Sequence, residues 1–269
     1  MPELADNLHF SEKVENLKPS GIRTFDNKVS EIPNIIKLTL GEPDLNTPEH
    51  VKKAAVKSIE ENDSHYAPQK GKKELLEAIS RFLDKTIHVK YDPKSEIVAT
   101  VGATEAINAA IFALFNPEDK ILVPTPVFSL YWPVANLAGV QYSLVNTASD
   151  DFKLTAEKLE EVVKNDPTIK GVILNYPTNP TGVEYSHEEI KQLAKIVEKY
   201  NLYVITDEIY SSLTYGVEHY SIATEIPERT LYISGLSKSH AMTGYRLGYI
   251  AGPKKVIDQI SKVHGLMVT

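Results

Sequence analysis

Short apolar runs, each bounded by turn residues, alternate along this chain with longer stretches whose apolar positions recur every three or four residues. EIVATVG (96–102), KILVPTP (120–126), VQYSLVN (140–146), KGVILNYP (170–177), LYVITDEIY (202–210), TLYISGLS (230–237) and RLGYIAG (246–252) read as strands. ATEAINAAIFALF (103–115), TAEKLEEVVKN (155–165) and HEEIKQLAKIVEKY (187–200) carry helical spacing and stop at a turn signal or a new strand, and PEHVKKAAVKSIEEN (48–62) is a further helix ahead of them. Strands alternating with amphipathic helices predict an α/β fold of three layers, with a mainly parallel central sheet covered by helices on both faces. The residues up to LTLGEPDLNTPEH break the pattern and read as an arm.

Composition narrows the function classes. The chain has 269 residues, 42% of them hydrophobic, enough for a sizeable core. Its 29 basic and 36 acidic residues give a net charge of −7, with no basic block long enough to follow a phosphate backbone, so nucleic acid is not an expected partner. Cysteine is absent, which excludes disulfides and thiolate metal sites. The start, MPELADNLHF, lacks a basic and then apolar leader, and the most apolar run, AAIFALF, is too short to span a bilayer. A soluble cytoplasmic protein without membrane partners is the expectation. HEEIK lacks the second histidine of a zinc-binding helix and QKGKKE lacks the upstream glycine of a P-loop, so neither chemistry is assigned and no metal is expected.

In open α/β sheets ligands bind beyond the carboxyl ends of the strands. Four unusual features fall there: VGATEAI at a strand-to-helix junction, NYPTNPTG after a strand, Asp207 at the end of LYVITD, and Lys238 after TLYISGLS. Taken singly, each has a plain structural role. Gly102 makes a turn, NPTG is turn chemistry, Asp207 caps, Lys238 is solvated, and Phe128 and Tyr210 line a core or cleft. Together they supply an amine for an aldehyde, an acid for a ring nitrogen, and an arginine with a helix N-terminus for a phosphate. That set matches pyridoxal phosphate.

The chain resembles the fold-type I pyridoxal-phosphate enzymes, within them the class I/II aminotransferases. The resemblance runs from LTLGEPDLNTPEHV through HYAPQKG, TVGATEAI, NYPTNPTG and TDEIY to SGLSKSHAMTGYRLGY, in family order. It implies an aspartate-aminotransferase-like fold, with residues 1–45 as the amino-terminal arm and part of the small domain and 46–269 as the cofactor-binding large domain. It also implies roles. Lys238 tethers the cofactor's aldehyde and then shuttles a proton, Asp207 pairs with the ring nitrogen, and Tyr210 and Asn179 bond the ring's phenolic oxygen. Gly102, Ala103, Thr104, Ser237 and Arg246 hold the phosphate, with Gly235 replacing a hydroxyl residue common in relatives. Phe128 stacks on the ring, Tyr66 reaches the phosphate of a neighbouring subunit in a homodimer, and Gly41 and Asn179 approach the substrate.

The implied reaction is transamination of an L-amino acid with a 2-oxo acid acceptor such as 2-oxoglutarate. The arm, KPSGIRTFDNKVSEIPNIIKLTLGEPD, resembles bacterial aminotransferases acting on aromatic amino acids or on an N-acylated diamino acid. A C–S or β-lyase would share nearly all these residues, and a non-catalytic module on the same fold is a third reading. Relatives continue into a small C-terminal domain that carries the arginine for the substrate carboxylate, whereas this sequence stops within a helical pattern at KVHGLMVT and reads as truncated.

Overall fold

The structure, a computed structural model, describes residues 8–19 and 21–268. They divide into two units, Met1–Gly41 and Glu42–Thr269.

The first unit lies within the residues expected to form an arm. It holds a single-turn helix, α1 (Glu12–Glu15), and a longer one, α2 (Gly21–Val29), which buries Asp26 and Val29. Asp26 accepts a hydrogen bond from the Thr39 hydroxyl and pairs with Lys37 at 3.4 Å, tying the following segment back to α2.

The second unit runs α3 (Glu49–Glu60), α4 (Lys73–Thr86), β1 (Ile97–Val101), α5 (Gly102–Leu114), β2 (Lys120–Thr125), α6 (Tyr131–Ala138), β3 (Gln141–Asn146), α7 (Ala156–Asn165), β4 (Ile169–Asn175), α8 (His187–Lys199), β5 (Tyr203–Asp207), β6 (Thr230–Gly235), α9 (Leu236–Ser239), β7 (Leu247–Ala251) and α10 (Lys254–Val268). All seven expected strands form, in one sheet of order β1-β7-β6-β5-β4-β2-β3. Strands β2 to β6 pair in parallel, and β7 runs antiparallel to both of its neighbours, β1 and β6. The sheet is therefore mainly parallel, with one reversed strand.

Period-2 alternation sends the buried strand residues to opposite faces. Ile121, Val123, Ile173, Ile205, Ile233 and Ile250 pack with α5, α6 and α10. Leu122, Val172, Leu174 and Val204 pack with α7 and α8, while Ile97, Tyr232 and Tyr249 meet Leu76, Ile79 and Leu83 of α4. Near-continuous apolar strands thus correspond to a sheet covered on both sides. Helix α8 starts with a full capping box: the Ser186 hydroxyl accepts from the Glu189 N–H, and the Glu189 carboxylate accepts from the Ser186 N–H at 2.7 Å. Among the described residues, no helix is long and apolar enough to cross a membrane.

Candidate active site

Because β1 lies antiparallel to β7, and β7 to β6, the end of β1, the start of β7 and the ends of β6, β5 and β4 share one edge. Register makes this concrete: Asn175 is opposite Asp207, Asp207 is opposite Ile233, Gly235 is opposite Gly248, and Val101 is opposite Leu247. Four stretches far apart in sequence therefore deliver their polar residues side by side.

Asp207 is 4% exposed at the last position of β5. Its carboxylate accepts from the Tyr131 hydroxyl at 2.9 Å and from the Ile209 N–H at 3.3 Å. Burial is the dominant influence and pushes its pKa up to about 6, the two hydrogen bonds opposing this and the charge of Glu208 adding to it. Next to it, the Asn175 amide donates to the Asp207 carbonyl at 2.8 Å and accepts the Asn179 N–H at 2.9 Å, which ties the NPTG loop to the β5 end. The Asn179 amide in turn donates to the Tyr210 hydroxyl at 3.3 Å. Burial, then the charge of Asp207, raise the Tyr210 pKa against that bond.

Lys238 lies in the short helix α9 directly after β6, with its Nζ 5.9 Å from the centroid of the Tyr210 ring. Burial lowers its pKa most; Glu42 works against this and Arg246 with it. An amine so placed gives up its proton more readily than one in water. Ser237 is buried in the same turn.

Gly102, Ala103 and Thr104 form the first turn of α5. Gly102 has φ +74°, and a Cβ built there would lie 2.5 Å from Nη2 of Arg246, so the guanidinium rests directly against the helix start. A Cβ on Gly248 would meet the backbone of Gly102 at 2.4 Å and of Ala103 at 2.5 Å. The turn of α5 is thus seated on bare backbone of β7. Arg246 itself takes a left-handed conformation, φ 55°, with Nη1 donating to the Thr243 carbonyl at 3.0 Å. A helix N-terminus combined with a guanidinium fork is an anion cradle.

The remaining predicted residues stand as follows. Phe128 meets Tyr131 edge to face, with ring centroids 6.2 Å apart, on the Asp207 side of the sheet. Tyr66 is fully exposed and is not drawn into the site by its own chain. Gly41 ends the first unit and is described with it. Three contributors escaped the sequence reading. Asn175 lies inside the quoted NYPTNPTG motif, where a lone amide closing the apolar run VILN was a usable signal, and Tyr131 lies three residues after Phe128. The third is the Glu105–His264 pair: Glu105 of α5 accepts the Val101 N–H at 2.7 Å and pairs with His264 of α10 at 2.8 Å, while His264 Nε2 lies 2.7 Å from the Gln69 carbonyl in the HYAPQKG segment.

The family model for aminotransferase class I and II matches residues 33–269. The chain belongs to that family. A probable N-acetyl-LL-diaminopimelate aminotransferase of Bacillus subtilis (strain 168) is 45% identical over 252 residues, covering 94% of this chain and 64% of that protein. Aromatic-amino-acid aminotransferase 2 of Thermococcus litoralis is 35% identical over 257 residues, covering 94% of this chain and 66% of that one. Among solved structures, aspartate aminotransferase from Thermus thermophilus with maleate superposes with a TM-score of 0.93 at 33% identity, covering 97% of this chain and 69% of that one. The chain thus spans about two thirds of the length of these relatives.

The class I and II aminotransferases use pyridoxal phosphate, and the residues at this edge fit it. Asp207 is a buried acid whose two donors are neutral and whose pKa burial has raised, the condition that a ring-nitrogen cation would relieve. Gly102 and Gly248 bring α5, β7 and Arg246 closer together than any Cβ would allow.

Proposed function

We propose that the protein is a pyridoxal-phosphate-dependent aminotransferase acting on an L-amino acid with a 2-oxo acid acceptor. The observation that carries this reading is the pairing of a lysine whose pKa burial lowers, next to the Tyr210 ring, with a buried aspartate on the adjacent parallel strand. When bound, the cofactor supplies an aldehyde that captures amines and a ring that takes up the electron pair released when a Cα–H bond breaks. Lys238 then holds the aldehyde at rest and carries the proton at Nζ during the reaction. Asp207 keeps the ring nitrogen protonated. Tyr210 and Asn179 hold the phenolic oxygen, Phe128 covers the ring face, and the first turn of α5, Ser237 and Arg246 hold the phosphate.

For substrate, we favour an N-acylated diamino acid, with 2-oxoglutarate as acceptor. The 45% identity to the Bacillus subtilis relative supports it against the aromatic and aspartate enzymes, which share 33–37% of their residues with the chain. A homodimer, with Tyr66 reaching the phosphate of the neighbouring subunit, belongs to the same proposal, as do the approach of Gly41 and Asn179 to the substrate and a cytoplasmic location. Borohydride reduction followed by peptide mapping tests the core of it. The label is expected on Lys238 and absent from Lys238→Ala, whereas a label of undiminished yield on another lysine of that variant overturns the assignment. Donor choice is read by single-turnover loss of the cofactor's absorbance with each amino acid, the N-acylated diamino acid being fastest.

A further inference from the structure

The residue after Asp207 is also an acid, and alternation points it to the opposite face of the sheet. Glu208 is fully buried there. One carboxylate oxygen accepts from the Thr206 hydroxyl at 2.8 Å and the Ser221 hydroxyl at 2.7 Å; the other lies 2.7 Å from Nε2 of His219. The far ring nitrogen of His219, Nδ1, lies 3.1 Å from the Glu184 carboxylate. Both ring nitrogens therefore face carboxylate oxygens, and only the imidazolium can donate to both. His219 and Glu184 are themselves largely buried, with side chains 8% and 11% exposed. The ring of Tyr176 lies against His219, its centroid 5.3 Å away.

We infer that Glu184, His219 and Glu208 are positioning residues: a buried chain of alternating charge behind β5, through which His219 offsets the Glu208 carboxylate and so limits its upward pull on the ionisation of Asp207 on the catalytic face. An uncompensated anion one residue away would hold the proton on Asp207 and weaken it as a partner for a ring-nitrogen cation. The inference rests on the reading of Asp207 given above. The groups around the chain are few. Tyr91, Tyr176, Tyr232 and Tyr249 feel the Glu208 charge, and burial raises all four phenols, leaving them neutral near pH 7. On the other face, Asp207 meets Tyr131 and Tyr210, raised likewise. For His219, burial alone would lower the pKa; Glu208, with Glu184, raises it to about 10.

The test follows the Asp207 carboxyl by ¹³C NMR in full-length protein freed of cofactor, the resonance being assigned by its loss in Asp207→Asn. Glu208→Gln is expected to lower the Asp207 midpoint by about one pH unit, and Glu184→Gln by less, since each removes an anion and leaves the imidazolium. His219→Gln is expected to raise the midpoint, and an unmoved or lowered one overturns the inference. General loosening of the fold would move all three the same way. An unmoved midpoint in Glu208→Gln, or a common direction in all three, overturns the inference. Should the buried variants fail to fold, the wild-type holoenzyme decides by ¹⁵N imidazole shifts: His219 cationic at pH 8 is expected, and a neutral ring at pH 7 overturns it. The carboxyl titration needs no cofactor, so it can fail while Asp207 remains the ring-nitrogen partner. That assignment fails separately, if Asp207→Asn retains wild-type turnover.

Discussion

At Asp207 the folded chain takes a carboxylate out of water and gives it two neutral donors in return, the Tyr131 hydroxyl and the Ile209 N–H. Its pKa rises from 3.8 to about 6, so its contribution to stability is fully present below pH 3.8 and is lost as the pH climbs through about 6. Asp207→Asn removes that penalty. Cofactor-free variant is expected to exceed wild type in stability by about 2 kcal/mol at pH 8 and to match it near pH 4, by urea denaturation at each pH. The same change is expected to slow the first half-reaction about 100-fold, by stopped-flow absorbance. The candidates legible in the sequence, Lys238, Asp207, Asn179, Gly102 and Arg246, share one property: each is an odd residue within a few positions of a strand end. Tyr131 was not legible as the partner of Asp207, because 76 residues separate them and only the sheet brings them together. His219 and Glu184 were hidden for the same reason, being recognisable only through Glu208.

At the scale of elements, α5 depends on β7 for its seat. Gly248→Ala would drive a methyl into the backbone of Gly102 and Ala103, at 2.4 and 2.5 Å. Loss of about 1–3 kcal/mol of stability is expected, as in overpacked cores, together with at least about tenfold weaker cofactor binding by fluorescence titration. Ser186→Ala is the contrasting case. It breaks the capping box of α8, which packs on the face of the sheet opposite α5, and should lose about 1 kcal/mol while cofactor affinity stays unchanged. The strands were readable because a sheet covered on both faces needs unbroken apolar runs between turns. The reversed direction of β7 was not, since RLGYIAG reads identically either way. Helix α6 was masked by Pro133, tolerated because the first turn has no intrahelical partner for its N–H groups, and α2 was masked by the polar character of the arm.

For the whole molecule, two buried histidines impose a pH profile. The His219 pKa stands at about 10 and that of His264 is raised, chiefly by its hydrogen bond to Glu105. Groups raised in this way stabilise the fold fully below about 6.5 and lose that contribution as the pH passes their folded values. The urea midpoint is expected to fall between pH 7 and 10, and to fall less in His219→Gln. Assembly gives a further expectation. Tyr66 is fully exposed in the single chain, so mixed dimers of Tyr66→Ala with Lys238→Ala should recover activity in one site of two. No recovery above the parents would mean that the tyrosine does not act across subunits. The order of events during synthesis follows from the pairing of β1. This strand has β7 as its sheet neighbour, with Thr100 opposite Gly248, so the start of α5 waits for nearly the whole second unit to leave the ribosome before it has a seat. Contacts of such sequence separation form late. The nascent chain must therefore carry β1 and the first turn of α5 without their partner until β7 has been made, and the anion cradle between α5 and Arg246 cannot be assembled before then.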